Sequence, residues 1–167
     1  MTHKEATGFI VVCDFCKDVL VSIGVDSGKI KIIPPSYSAN KNAKSISHSR
    51  TSGAKILSVG RIVERKGFHF LIDSVKLLRN IIPDINLTIV GDGPFRFFLE
   101  EKIKKDNLSD IVSLTGTIDN KKLSQLYSES DLFVLAHTML DNGDTEGAPM
   151  VFAEASVFLI NSSSAIE

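Results

Sequence analysis

The chain has 167 residues, of which 43% are hydrophobic and 23% charged, and its formal net charge is −1. This composition predicts one soluble α/β domain and a fragment of another, and it excludes the basic bias typical of nucleic-acid-binding proteins. No apolar run reaches the roughly 20 residues that span a bilayer, and no basic region precedes the short apolar stretch near the N-terminus. We therefore predict a cytoplasmic protein with at most a peripheral contact at the inner face of the membrane.

The first 54 residues divide into two zones. Residues 9–33 contain the apolar run "FIVV", a helical stretch through Val19, Leu20 and Ile23 that ends at Gly24, and the strand-like "KIKIIPP". Residues 37–54 have no apolar periodicity and carry basic residues without an acidic one, which predicts a flexible basic linker; a position near an anionic ligand or a membrane surface is the alternative.

Cys13 and Cys16 form a single C-x-x-C motif without a second cysteine pair, and the four histidines are scattered. This pattern favours packed, unreactive thiols over a zinc or thioredoxin-like site.

From residue 55 the hydrophobic pattern becomes regular. Four apolar runs predict strands at residues 56–59, 86–90, 112–115 and 132–135, and the stretches between them have helical spacing. Strands that are apolar on both faces and alternate with helices indicate a parallel sheet with helices on both faces. We predict a Rossmann-like, doubly wound α/β domain. The clearest helical stripe contains Phe68, Leu71, Ile72, Val75 and Leu78.

Three glycines and two cations point to one edge of this sheet. Gly60, Gly91 and Gly116 end apolar runs, so they cluster at the carboxyl edge, where open α/β folds bind ligands. Arg61 follows Gly60, and Lys66 lies at the predicted start of the next helix, so a diphosphate would fit there. The alternatives are turn glycines and ordinary surface charges. "GDGP" is not G-x-G-x-x-G, and no Walker A motif occurs, which weakens nicotinamide and ATP interpretations.

The stretch "TEGAPMVFAEAS" places Glu146 and Glu154 eight positions apart, on either side of a predicted helix start at Pro149. The two carboxylates would reach different depths of one pocket. Each can accept hydrogen bonds from a vicinal diol of a ribose or hexose, while N–H groups at residues 148–151 would bind phosphate oxygens. A capping glutamate and a solvated helix face are the alternative.

These motifs carry a family resemblance. The stretches "ILSVGRIVERKGFHFLIDSVKLL", "LTIVGDGPFR" and "VSLTGTIDNKKLSQLYSESDLFVLAHTMLDNGDTEGAPMVFAEA", within residues 54–156, resemble the nucleotide-sugar-binding half of family 4 retaining glycosyltransferases of the GT-B type. The last loop is similar to members that build bacterial exopolysaccharides. The resemblance implies an acceptor-domain remnant or interdomain segment at residues 1–36, the linker at 37–54 and a C-terminally incomplete donor domain at 55–167. The family usually has serine at the position of Cys13.

The resemblance implies sugar transfer from a UDP- or GDP-sugar, with retention, to a glycan or lipid-linked acceptor, without a required metal or cofactor. Arg61 and Lys66 would hold the diphosphate, Glu146 the transferred sugar and Glu154 the ribose, and the catalytic set would be Glu146, Arg61 and Lys66. The backbone at Thr117 and Ile118 would flank the base. The implied binding positions are Gly60, Arg61, Lys66, Thr117, Ile118, Glu146, Gly147, Ala148, Pro149, Met150, Val151 and Glu154.

Two departures leave other functions open. Most of the acceptor domain and the C-terminal helices of the family have no counterpart here, which predicts a truncated chain that is inactive alone and depends on the missing acceptor domain. A non-catalytic nucleotide-sugar-binding or remnant module is the first alternative. The second is another GT-B-fold enzyme, such as an epimerase or a phosphorylase. The epimerase pattern lacks this E-x7-E loop. A phosphorylase would carry its pyridoxal-phosphate lysine in a C-terminal region that has no counterpart in this sequence. No nucleic-acid partner is expected.

Overall fold

A computed structural model describes residues 6–34, 53–138, 151 and 154–156. The first described segment is a β-α-β unit with parallel strands, in which Phe9 pairs with Ile30 and Val11 with Ile32. Leu20 packs against a small core, whereas Val19 and Ile23, which also contributed to the predicted helix, are exposed. The unit comprises β1 (Phe9–Val11), α1 (Asp14–Ser22), a 3-10 turn (Ser27–Lys29) and β2 (Ile30–Ile32).

The second described segment contains a four-stranded parallel sheet in the order β5-β4-β3-β6. All four predicted strands are therefore confirmed, as is their parallel pairing. Only the last is shorter than predicted, because its ladder with β3 ends where Leu57 pairs with Phe133 and the Ser58 hydroxyl then donates to the Val134 carbonyl at 2.6 Å. The elements are β3 (Lys55–Val59), a 3-10 turn (Glu64–Lys66), α2 (Phe68–Leu78), β4 (Asn86–Val90), α3 (Arg96–Lys105), β5 (Val112–Gly116), α4 (Asn120–Glu129) and β6 (Leu132–Phe133).

Successive strand residues enter different cores on the two faces of the sheet. Ile56 belongs to a core shared with α2 and α3, and Leu57 belongs to a core shared with α4. The predicted stripe of α2 supplies four residues of the first core, with Leu78 packed against it. Helices therefore cover both faces, which confirms the predicted doubly wound fold.

An aromatic cluster joins α2 to α3 on the first face. The His69 ring lies 4.0 Å from the Phe70 ring and 5.7 Å from the Phe95 ring, between ring centroids, and Phe95 stacks on Phe98 at 4.5 Å. Burial among these rings lowers the pKa of His69, and the carboxylates of Glu64 and Asp73 oppose that effect only in part. The folded chain therefore binds a proton at His69 more weakly than the unfolded chain does.

This difference predicts a pH-dependent stability. The contribution of neutral His69 to the free energy of unfolding is complete above the unfolded pKa of about 6.5. It is lost as the pH falls from there through the lower pKa of the folded chain, because the unfolded state then binds more protons. His69→Phe keeps an aromatic ring and removes the titration. We expect the free energy of unfolding in urea to fall less between about pH 7.5 and about pH 5.5 in this variant than in the parent chain. An unchanged slope would contradict a neutral, ring-packed His69.

Candidate functional site

The strand order changes direction between β3 and β6. From β3 the chain proceeds outward to β4 and β5 and then returns to the other side of β3 as β6. In open α/β sheets, ligands bind outside the carboxyl ends of the strands at such a reversal. We call the residues that follow these two strands, 60–67 and 134–138, the β3–β6 crevice.

The three strand-end glycines lie side by side at this edge. The Gly91 N–H donates to the Gly116 carbonyl at 3.0 Å, and the Gly60 N–H donates to the Val90 carbonyl at 3.0 Å. A Cβ on Gly91 would overlap the Gly60 carbonyl oxygen. Gly91 thus permits the close approach of two loop backbones, and the predicted glycine-lined edge is present.

Lys66 is buried, with 8% of its surface exposed. We predicted Lys66 at the start of the next helix, but it ends the 3-10 turn that precedes α2, which begins at Phe68. A methyl group on Gly60 would lie 3.8 Å from both Cδ and Cε of Lys66, so the aliphatic stem of Lys66 follows the backbone that leaves β3. Arg61, the other predicted cation, is exposed beside Gly60.

Gly67 joins the two sides of the crevice. It has φ 64°, in the left-handed region, and a Cβ there would overlap the Ala136 carbonyl oxygen. The Thr138 N–H donates to the Arg65 carbonyl at 2.9 Å, which is a second tie between the same two segments. The N-cap residue of α2 is Gly67 itself, which has no side chain to cap the helix. The sequence analysis missed these contacts because they join distant segments through backbone atoms.

Glu154 lies on the α4 side of the sheet. The hydroxyl of buried Tyr127 donates to Glu154 Oε2 over a long distance of 3.4 Å. Ala155 is buried in the second core, and Val151 packs against that core. These two apolar residues fix the helical residues around Glu154. The contact between Tyr127 and Glu154 was not predicted from the sequence, because the two residues lie 27 positions apart.

The remaining predicted positions are described only in part. Thr117 is exposed directly after β5, and Ile118 packs against the second core. Five further predicted site positions lie outside the described residues: Glu146, Gly147, Ala148, Pro149 and Met150. Most of the predicted basic linker at residues 37–54 also lies outside them.

The fold agrees with a family comparison. The sequence model described as "Glycosyl transferases group 1" matches residues 40–160, which is more than half of the chain. The chain belongs to this family.

Named relatives of this glycosyltransferase chain include the amylovoran biosynthesis glycosyltransferase AmsK of Erwinia amylovora, which is 27% identical over 81% of the chain and 33% of the relative. The 2-deoxystreptamine N-acetyl-D-glucosaminyltransferase of Niallia circulans is 32% identical over 81% of the chain and 36% of the relative. The chain thus spans about a third of the length of these curated relatives.

A solved structure shows the same fold. It is the pneumococcal O-GlcNAc transferase GtfA in complex with UDP and GlcNAc, which is 22% identical with a TM-score of 0.68. The match covers 92% of this glycosyltransferase chain and 29% of the pneumococcal chain.

Three further observations limit the interpretation of the site. Within residues 6–34, 53–138 and the short helical piece, no group of three or more potential ligands could hold a metal ion. No helix in the described part of the chain is long and apolar enough to cross a membrane.

A cavity of about 440 Å³ lies at the opposite edge of the sheet, lined by residues at the starts of β3 and β4, including Lys55 and Asn86. It is therefore separate from the glycine-lined edge.

Proposed function

We propose that the chain is the donor-binding part of a retaining glycosyltransferase. It binds a nucleoside-diphosphate sugar and supports hexosyl transfer, with retained anomeric configuration, to a glycan or lipid-linked acceptor that a further domain positions. The observation that carries the proposal is Lys66, a buried cation whose stem lies against Gly60 at the reversal of strand order. A buried cation beside a bare backbone edge fits an anionic ligand.

The diphosphate is the group that Lys66 and Arg61 would hold. Two cations beside the start of α2, where the N-cap residue Gly67 has no side chain, would offer charge and N–H donors to phosphate oxygens. The same cations would stabilise the negative charge that develops on the leaving diphosphate, which a preorganised site does without solvent rearrangement. In this proposal the transfer requires neither a metal ion nor a cofactor.

The nucleoside and the sugar would be bound on the α4 side. Glu154 would accept hydrogen bonds from the ribose hydroxyls, and the Tyr127 hydroxyl orients its carboxylate. The backbone at Thr117 and Ile118, directly after β5, would flank the base. We assign the transferred sugar to Glu146 and the phosphates to the backbone N–H groups of residues 147, 148, 150 and 151, as the family resemblance implies; Pro149 has no N–H to donate.

The named relatives support a donor and a pathway class. The pneumococcal structure contains UDP and GlcNAc, which is consistent with a nucleoside-diphosphate sugar, either a UDP- or a GDP-sugar, as the donor here. The name of AmsK places that enzyme in amylovoran biosynthesis, which favours a role in bacterial polysaccharide biosynthesis. We further propose a cytoplasmic location, with at most peripheral contact at the inner membrane face.

Substitution of the two glutamates tests the proposal. Glu154→Ala should weaken binding of UDP and of a UDP-sugar alike, because both contain ribose. Glu146→Ala should spare UDP and weaken only the UDP-sugar. Each loss should be about 1.5–3 kcal/mol, the range for hydrogen bonds to a charged group. Isothermal titration calorimetry with both ligands on both variants measures the separation.

Circular dichroism provides the folding control, and Glu129→Ala, an exposed change at the end of α4, serves as the matched substitution. Identical effects of the two glutamates on both ligands would contradict their assigned roles. Failure of the parent chain to bind either ligand would instead favour the alternative of a remnant module that keeps only the fold.

A further inference from the structure

Two thiols meet at the start of α1. Cys13 is the N-cap residue, with an extended backbone at φ −157°, and Cys16 lies in the first turn. Residues three positions apart share a helix face, and the Cys13 thiol donates to the Cys16 sulfur at 3.5 Å. The sequence analysis interpreted these residues as packed thiols, but the fold places them in mutual contact.

Neither thiol caps α1 or is fully buried in a core. Cys13 makes no capping hydrogen bond to α1, although its position is that of a capping residue. Cys16 packs only at the margin of the small core of the β-α-β unit. Both side chains are partly exposed, so a small reagent can reach them.

The chemistry of this pair is that of a dithiol. A structural zinc site uses four ligands, and no group of three potential ligands forms within the described segments. A disulfide needs only the two sulfurs, which must close from 3.5 Å to about 2.05 Å. The hydrogen bond with Cys13 is the main cause, and burial the second, of a raised pKa of Cys16, so Cys16 is held as a thiol in the reduced protein.

We propose that Cys13 and Cys16 form a redox-active dithiol that a small-molecule disulfide, such as oxidised glutathione, converts to an intramolecular disulfide. One protein thiolate attacks a sulfur of the oxidant and releases one molecule of the reduced small thiol. The other cysteine then attacks the mixed disulfide and releases the second. The protein loses two electrons and two protons, and the oxidant becomes two thiols. This site is independent of the proposed donor site.

The test uses the full chain, reduced and desalted, in excess oxidised glutathione. Because the chain has only two cysteines, a monomer that loses about 2 Da and both free thiols must contain the Cys13–Cys16 disulfide. Cys13→Ser and Cys16→Ser should each stop at a glutathione adduct. Dithiothreitol should restore both thiols in the parent chain. A parent chain that stops at adducts, or that forms disulfide-linked dimers, would overturn the proposal.

A comparison with the unfolded chain isolates the contribution of the fold. Any C-x-x-C segment can close to some extent, but here the fold holds the sulfurs in contact. The equilibrium constant with glutathione should therefore be at least about tenfold larger in the folded chain than in urea, since preorganisation raises the effective concentration. Equal constants would show that the contact in α1 has no redox consequence and would overturn the inference.

Discussion

Replacement of Gly67 by alanine should destabilise the domain by about 2–5 kcal/mol. Two costs combine in this variant. An alanine at φ 64° occupies the left-handed region, which costs roughly 1–2 kcal/mol. The added methyl group would also overlap the Ala136 carbonyl oxygen, and relief of such overpacking by a backbone shift costs about 1–3 kcal/mol. Urea unfolding followed by circular dichroism measures the change.

Gly116→Ala is the matched control. Gly116 has a similar φ of 74°, but the nearest atom to an added Cβ is Arg96 Nη1 at 3.3 Å, at the far end of a flexible side chain. The free energy of unfolding of this variant should therefore fall only by the conformational cost of about 1–2 kcal/mol. Equal losses in the two variants would mean that the contact between Gly67 and the segment after β6 does not stabilise the domain.

Lys66→Ala should weaken UDP binding by about 2–3 kcal/mol, or roughly 30- to 150-fold, because it removes the charge-assisted contact that we propose Lys66 makes to the diphosphate. In a complete enzyme, a loss of about 3 kcal/mol of stabilisation at the transition state should reduce kcat by about 100-fold or more. Lys66→Met keeps the buried stem along Gly60 and removes only the ammonium group. It should therefore lose as much affinity as Lys66→Ala with a smaller loss of stability.

Lys121→Ala provides the surface control, since Lys121 is exposed in the first turn of α4. Titration calorimetry should give UDP affinities for this variant within about threefold of the parent chain, as expected of a screened surface charge. Equal weakening by Lys66→Ala and Lys121→Ala would remove Lys66 from the diphosphate site and leave only general electrostatic attraction.

Most of the fold was predictable because hydrophobic periodicity is a local signal. The run "NLTIV" became β4 at the predicted bounds, and the stripe from Phe68 to Val75 became the buried face of α2. The short length of β6 and the exposure of Val19 and Ile23 were not predictable, because strand length and burial depend on the elements that pack against these residues. Tertiary context determines such details.

The site was predictable where chain neighbours form it. Gly60, Arg61 and Lys66 are close in sequence, and strand direction places the glycines at one edge. The contact between Gly67 and Ala136 and the hydrogen bond between Tyr127 and Glu154 join residues far apart in the chain. No sequence pattern encodes such a pair, so these contacts are known only from the folded structure. The functional roles of the site residues remain predictions.

The short pairing of β6 has a kinetic consequence. β3 and β4 pair over five registered positions, whereas β3 and β6 pair over two, Ile56 with Leu132 and Leu57 with Phe133. The contacts that hold β6 in place, such as the hydrogen bond from Ser58 to Val134, join residues 76 positions apart. A pairing that closes a long loop forms late in folding, and a short one opens early. Amide protons at the β6 side of the β3–β6 crevice should therefore exchange with solvent before those of β4, so that this side of the crevice opens while β3 and β4 stay paired.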